Sequence, residues 1–457
     1  MKTNLTVLFS LVAAVACAAP SVTVKSVSQD AATRMVTVTY ALADGPAVVT
    51  FSDVRAGGAS IGAEHCRTVW GDINRRVVQP DGGDLKFTWA VDRDWPDHDL
   101  PVGQLSVALT AWPAGDGPDW MIVNLLVPDD ISYCEREGQL PFGAVNQPAC
   151  AAERLVLKMV RPQGREWLMG SPEGETGRDA STAAICSASG TEDVEMLGKE
   201  TLHRVRLTKN YYLGVFPLTQ GQYENVMASG YGKPETWGEA SGSVLNVCRP
   251  SWCGPQFNGW VQNYKRRPVE YVSYATLVTP TGATPELSFF ANLKAMTGVD
   301  FQLPTEAEWE FACRAGTTTG LYSGREVKEP QGYCGNVSVL ARFRRNGGCD
   351  GNVSYAEYDH TPWWNYTQTT PAVGTYQPNA WGFYDMLGGV WEMCRDRYVR
   401  DLGSASATDP LNSSGTVIAV RGGAYNEEAG LCRSASRAGL DQATAYRGVG
   451  LRLCLEL

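Results

Sequence analysis

The chain has 457 residues, 44% of them hydrophobic, which is ample for folded cores and too long for one ordinary core, so two or three domains are expected. Acidic side chains outnumber basic ones by 49 to 39, for a net charge of −10, and the basic residues are scattered without long runs. That balance argues against a nucleic acid or an anionic membrane surface as partner.

Residues 1–19 read as an export signal: Lys2, an apolar run over 5–15, then Ala16, Cys17, Ala18 and Ala19 before Pro20. The run is too short to span a bilayer as a mature helix. Lipidation of Cys17 is the alternative, against which stands Ala14, where a large aliphatic residue is expected. No later apolar stretch approaches transmembrane length, so a secreted or periplasmic, soluble protein is expected.

Residues 20–128 have strand character. Val36, Val38, Tyr40 and Leu42 alternate with Thr37, Thr39 and Ala41, and Leu85, Phe87, Trp89 and Val91 alternate with Lys86, Thr88, Ala90 and Asp92. Leu105, Val107 and Leu109 repeat the period of two, and turn clusters such as RAGG and DGGD separate the runs. Short strands at this spacing predict an all-β sandwich of immunoglobulin or fibronectin type. His65 and His98 have no partner at ligand spacing and read as surface or turn residues. A Pro-, Gly- and Asp-rich stretch, 129–152, reads as a linker to a second domain over 153–457.

In that second domain Thr219 followed by Gln222, and Thr305 followed by Glu308, are capping-box patterns opening short helices, the first stopped by Gly230. Trp309, Ala312 and Cys313 then share a face. His203 lies in the alternating pattern HRVRL and reads as structural. Twelve cysteines follow Cys17, an even number in an exported chain, so disulfides are expected. Cys248 with Cys253, Cys334 with Cys349, and Cys394 with Cys432 are the pairings that position suggests, and no clustered CxxC pattern points to zinc.

Three blocks carry more specific information: LPTEAEWEFACRAG from Leu303, NAWGFYDMLGGVWEM from Asn379 and RGGAYNEEAGLCRSASR from Arg421. With LVLKMV from Leu155, MGSPEGETGR from Met169 and HRVRLTKNYYLG from His203, they resemble in order the formylglycine-generating enzyme family, also called sulfatase-modifying factors. The resemblance runs from about Leu155 to Leu453. It implies a variant C-type-lectin-like fold with little regular secondary structure, and an α+β class for the whole chain.

In catalytic members two cysteines with four residues between them follow the RGG turn and hold one copper(I) ion, a soft ion that favours two thiolates. Here Cys432 falls on the second position and Glu427 on the first, counting forward from Tyr425; counting back from Arg437 makes Cys432 a neighbour of the RSASR strand. On either register only one thiol is present, so copper is not expected, and Cys432 is either the remnant catalytic residue or a structural cysteine. Tyr425, Asn426 and Glu427 are then the candidate binding groove. An iron site of the related sulfoxide synthases would need a histidine triad, and only His203 and His360 lie in this domain.

The family's structural calcium site corresponds to Asp385, Gly388, Val390 and Glu392, hard oxygen donors in a glycine-containing turn. The alternative is that Asp385 caps a turn and Glu392 pairs with Arg395 or Arg397. A second site would use Asn336 and the carbonyl of Val337. Trp309, Trp381 and Trp391 read as core rather than as an aromatic box. The expectation is an exported, noncatalytic family member that binds an extracellular protein or glycan ligand. The alternatives are a copper-dependent oxidase acting on sulfatase cysteines and a structural component of an envelope or secretion complex.

Overall fold

The computed structural model describes residues 18–79, 83–98, 100, 103–178, 196–228, 265–270, 272–278, 288–346, 370–446 and 448–457. The chain divides into two compact units, Met1–Gly117 and Pro118–Leu457. No helix among the described residues is long and apolar enough to cross a membrane.

The first unit is built from two antiparallel sheets around one core. Strand Met35–Ala43 lies between Ser21–Gln29 and Leu85–Ala90, with Val69–Gly71 beside the latter. Strand Ala47–Ala56 organises the other sheet and pairs with Leu105–Trp112, Ala59–Ser60 and Arg75–Val77. The period of two does what it predicts: Val36, Val38, Tyr40, Leu42, Leu85, Phe87 and Trp89 are buried while Lys86 is exposed. Phe51 from one sheet meets Phe87 from the other edge-on, with ring centroids 4.9 Å apart. Val91 departs from the expected strand, because the chain turns there into a short helix, Val91–Asp94. Asp94 closes that turn by accepting hydrogen bonds from Thr68 and from Trp89 Nε1. His65 and His98 stack on Trp95, with centroids 5.2 and 4.1 Å away.

The second unit begins at Pro118. Strands Trp120–Asn124 and Ile131–Cys134 therefore belong to a five-stranded antiparallel sheet that continues through Arg154–Val160 and Tyr211–Gly214 to Cys454–Glu456, near the C-terminus. A second five-stranded sheet runs Met196–Leu197, Arg437–Asp441, Val417–Arg421, Trp391–Arg397, Val449–Leu451, its last pair parallel. Both sheets feed one apolar core that includes Met121, Leu157, Trp391, Met393, Val420 and Leu451.

The helices start where their caps predict. Thr219 N–H donates to Gln222 Oε1 at 2.9 Å, and Gln222 N–H to Thr219 Oγ1 at 3.2 Å, opening Gln220–Ala228. Thr305 and Glu308 repeat the reciprocal pair at the start of Glu306–Arg314, which ends on left-handed Ala315. Trp309, Ala312 and Cys313 are fully buried on its inner face. Gly230 lies outside the described residues.

The disulfide expectation is corrected where it can be read. Cys66, Cys134, Cys150, Cys313, Cys334, Cys394, Cys432 and Cys454 are all buried, unbonded thiols, and the last five named share one core cluster as small hydrophobic fillers. The Cys394–Cys432 pair does not form. The Cys394 thiol is directed at the Glu392 carbonyl, 3.9 Å away, whereas the Cys432 thiol packs over Gly423, 3.0 Å from where a Cβ would stand. Cys248, Cys253 and Cys349 lie outside the described residues, as does His360.

Candidate functional site

Three distant segments converge on Glu392. In the sheet register Glu392 lies opposite Arg421 on one side and beside Gly450 on the other, which brings the blocks that begin at Asn379 and Arg421 against the closing segment. The third block contributes Trp309 from its helix. Its Nε1 donates to Glu392 Oε2 at 2.7 Å. Arg452 grips the same carboxylate as a fork, Nε to Oε2 at 2.9 Å and Nη2 to Oε1 at 2.7 Å, with both residues fully buried. Glycine is required at Gly422, because a Cβ there would stand 2.8 Å from the Met386 carbonyl and 2.9 Å from the Trp309 ring.

Further buried ion pairs brace the loop that follows. Arg421 meets Glu310, Arg437 binds both oxygens of Glu306, and Arg433 spans Glu175 and Glu200. Burial opposes ionisation of Glu306 and Glu200, but the facing guanidinium groups outweigh it and hold both carboxyls below the usual range. His203, buried, is held by a contact of 2.8 Å between its Nδ1 and the Thr201 carbonyl, a structural role as expected.

Tyr425, Asn426 and Glu427 lie on the turn after Gly423. Tyr425 and Glu427 are buried and Asn426 is half-buried. Trp391 Nε1 donates to Glu427 Oε1 at 3.2 Å, whereas Oε2 is buried and meets no donor among the described residues. Burial pushes this carboxyl up to about 7, offset in part by the Trp391 hydrogen bond and Arg344. Cys432 ends the short turn Ala429–Leu431 and is fully buried. Burial, then the carboxyls of Glu427 and Glu428, push its thiol well up, so the thiolate is disfavoured. A carboxyl and a protonated, sealed thiol do not fit copper(I), which selects paired thiolates.

The four expected calcium positions divide into two places. Asp385 sits in the left-handed region at φ 53°. Its Oδ2 accepts from Gly374 N–H at 2.6 Å, and its Oδ1 is buried with no donor among the described residues. It lines a small cavity of about 10 Å³, room for about one water, together with Gly388, Val390, Arg342 and Tyr376. Gly388 must be glycine, since a Cβ would come within 2.2 Å of the Arg342 carbonyl. Glu392 is not part of this cavity's lining and is saturated by Arg452 and Trp309, rather than by Arg395 or Arg397. Arg395 instead donates to Gln302 Oε1 at 2.6 Å. The residues present therefore fit a hard cation only in part, with one unmet carboxylate oxygen where calcium takes 6–8 oxygen ligands.

Asn336 and Val337 are not assembled into a second cation site. The Val337 carbonyl accepts from Leu340 and Ala341 N–H at 2.9 Å each, and the Arg325 guanidinium stands 3.4 Å from Asn336 Oδ1. Trp309 and Trp391 are core, as expected, while Trp381 is half-buried and packs edge-on against Phe311 at 5.2 Å. Arg452 as the partner of Glu392 was missed. Its only local signal is a basic residue between Leu451 and Leu453 in an otherwise apolar ending.

The family model described as sulfatase-modifying factor enzyme 1-like domain matches residues 159–457. The chain is similar to the formylglycine-generating enzyme of Streptomyces coelicolor, 34% identical over 128 residues that make up 27% of this chain and 36% of that protein. It is 30% identical to the formylglycine-generating enzyme of Mycobacterium tuberculosis over 168 residues, 33% of this chain and 50% of that one. The match thus spans about a third to a half of these relatives' length. Among solved structures, PvdO from Pseudomonas aeruginosa aligns over 66% of this chain and 95% of its own, with 19% identity and a TM-score of 0.42.

Proposed function

Because the chain belongs to the sulfatase-modifying factor enzyme 1-like family over residues 159–457, we propose that it is an exported, noncatalytic member that uses this scaffold to bind an extracellular protein or glycan ligand. The observation that carries the noncatalytic reading is the pair Glu427 and Cys432. The carboxyl stands where the resemblance expects the first thiol, hydrogen-bonded to Trp391, and the remaining thiol is sealed in the core. Glu427 offers copper(I) a carboxylate where a second thiolate is expected, and a protonated buried thiol is not a nucleophile.

The first unit, two antiparallel sheets with a shared core, is in this reading an immunoglobulin-like sandwich. Calcium is proposed at Asp385 with the main chain of Gly388 and Val390, without Glu392. Such an ion would stiffen the turn leading into Trp391; no chemical step depends on it. Export rests on the N-terminal sequence, with its basic residue, apolar run and small residues.

The deciding experiment incubates the purified chain with copper(I), oxygen and a CxPxR peptide and follows aldehyde formation by mass spectrometry. No aldehyde and no tight copper binding are expected. Aldehyde that disappears in Cys432→Ser would overturn the noncatalytic reading in favour of the oxidase.

A further inference from the structure

Strand Trp391–Arg397 ends beside a buried carboxyl that no cation answers. Asp396 Oδ2 accepts from Glu306 N–H at 2.8 Å, at the start of helix Glu306–Arg314, and Oδ1 accepts from Asn412 N–H at 3.4 Å. Glu306 stands at the same helix start, where Arg437 binds both its oxygens at 2.8 and 2.6 Å and Arg421 Nε lies 3.8 Å away. Two neighbouring buried carboxyls thus compete for the same guanidinium groups, and Glu306 takes them. The surroundings bring Asp396 no relief. The helix also turns Glu308 toward it, while Glu310 is engaged by Arg314 and Arg421. On its own strand Arg395 donates to Gln302, Arg397 lies over the Tyr274 ring, and Cys394 is a thiol pushed up by burial, then by Glu306 and Asp396. His203 and Tyr398 face Glu306. Burial first, and then the Glu306 carboxyl, push Asp396 up to about 7 from an ordinary 3.8.

The loop that reaches Asp396 is short and weakly held. Residues 410–416, PLNSSGT, carry no charge and are exposed except for half-buried Pro410 and Asn412. The ends are fixed: Asp409 accepts from Thr208 N–H at 2.7 Å on one side, and Val417 pairs with Asp441 on the other. Between them, Asn412 ties the loop to the strand. Its carbonyl accepts from Arg397 N–H at 2.7 Å, its Nδ2 donates to the Arg397 carbonyl at 2.8 Å, and its own N–H makes the long bond to Asp396.

We propose that loop 410–416 is a proton-operated latch, closed through Asn412 while Asp396 is protonated and released when Asp396 ionises. This device is independent of the ligand-binding reading. A protonated Asp396 keeps both N–H bonds without setting a second negative charge beside Glu306. Once ionised, it gains water if the loop lifts, at the loss of the few bonds made by Asn412. The closed form holds the proton up to about 7 and the open, hydrated form only up to the ordinary 3.8. Opening therefore grows about tenfold per pH unit between these values and levels off above 7.

The test is hydrogen–deuterium exchange of the full chain from pH 5 to pH 8, corrected for intrinsic exchange rates and read by mass spectrometry on overlapping peptides across 391–421. The amides of Arg397 and Asn412 should lose protection by about tenfold per pH unit up to about 6.5 and no further above 7.5, while strand Val417–Arg421 does not follow. Asp396→Asn, which cannot ionise and keeps an acceptor for Glu306 N–H, should flatten the profile. The same slope in a folded Asp396→Asn protein overturns the proposal. If that variant does not fold, the parent protein still decides: a flat profile, one that keeps rising above pH 7.5, or an equal loss throughout 391–421 overturns the latch.

Discussion

Replacing Glu427 with glutamine should make the second unit more stable at pH 8 and not at pH 5. The folded carboxyl lies at about 7 against an ordinary 4.5, and burial is the main cause. Between these values the folded chain keeps a proton that the unfolded chain has released. The stability this group contributes is therefore fully present below 4.5 and is lost as pH rises through 7. For a fully buried group the loss across that window is about 3 kcal/mol. The substituted amide cannot ionise, keeps an oxygen for Trp391 Nε1, and places an N–H₂ group where Oε2 meets no donor, at a cost of about 1–2 kcal/mol. The difference should run from about 1–2 kcal/mol destabilising at pH 5 to about 1–2 kcal/mol stabilising at pH 8. Urea unfolding of both proteins at pH 5, 6, 7 and 8 measures it. Asp385 and Asp396, also displaced to about 7, are common to both proteins and cancel in the difference. A difference flat across the four pH values would refute the burial argument for Glu427.

Calcium at Asp385 should raise the melting temperature of chelated, dialysed protein, and Asp385→Asn should abolish that increment; an unresponsive parent protein leaves Asp385 as a turn residue. Arg452→Met, which strands the buried Glu392 carboxylate, should cost about 3–5 kcal/mol, whereas Lys294→Met, which breaks the exposed pair with Asp300, should cost under about 1 kcal/mol, both read by denaturant unfolding. Native protein treated with maleimide at pH 7.5 should show no label on Cys313, Cys394 or Cys432 by peptide mapping, and full label after denaturation, because all three thiols are buried and pushed up. Rapid native labelling of Cys432 would show that its core opens.

What the sequence determined by itself was everything carried by neighbours two to four residues apart. The alternation around Val38 and Phe87 sets which side chains face the first unit's core, and the Thr219–Gln222 and Thr305–Glu308 pairs set where helices begin, because each depends only on local backbone geometry. The three ordered blocks likewise announced the family, since their glycines and tryptophans answer packing needs that recur at fixed spacing. Only the tertiary structure decided who partners whom. Arg395, three residues from Glu392, does not pair with it; Arg452, sixty residues away, does, because parallel strand pairing sets Gly450 beside Glu392 and carries Arg452 with it. Cys394 and Cys432, paired on paper, are sent to different neighbours by the sheet and the turn that hold them. Asp385 and Glu392, a plausible ligand pair in the linear sequence, are separated because Arg452 and Trp309 occupy the Glu392 carboxylate while Asp385 lines a small cavity that Glu392 does not. Charge compensation inside a low-dielectric core is settled by three-dimensional neighbours, and sequence spacing does not reveal them.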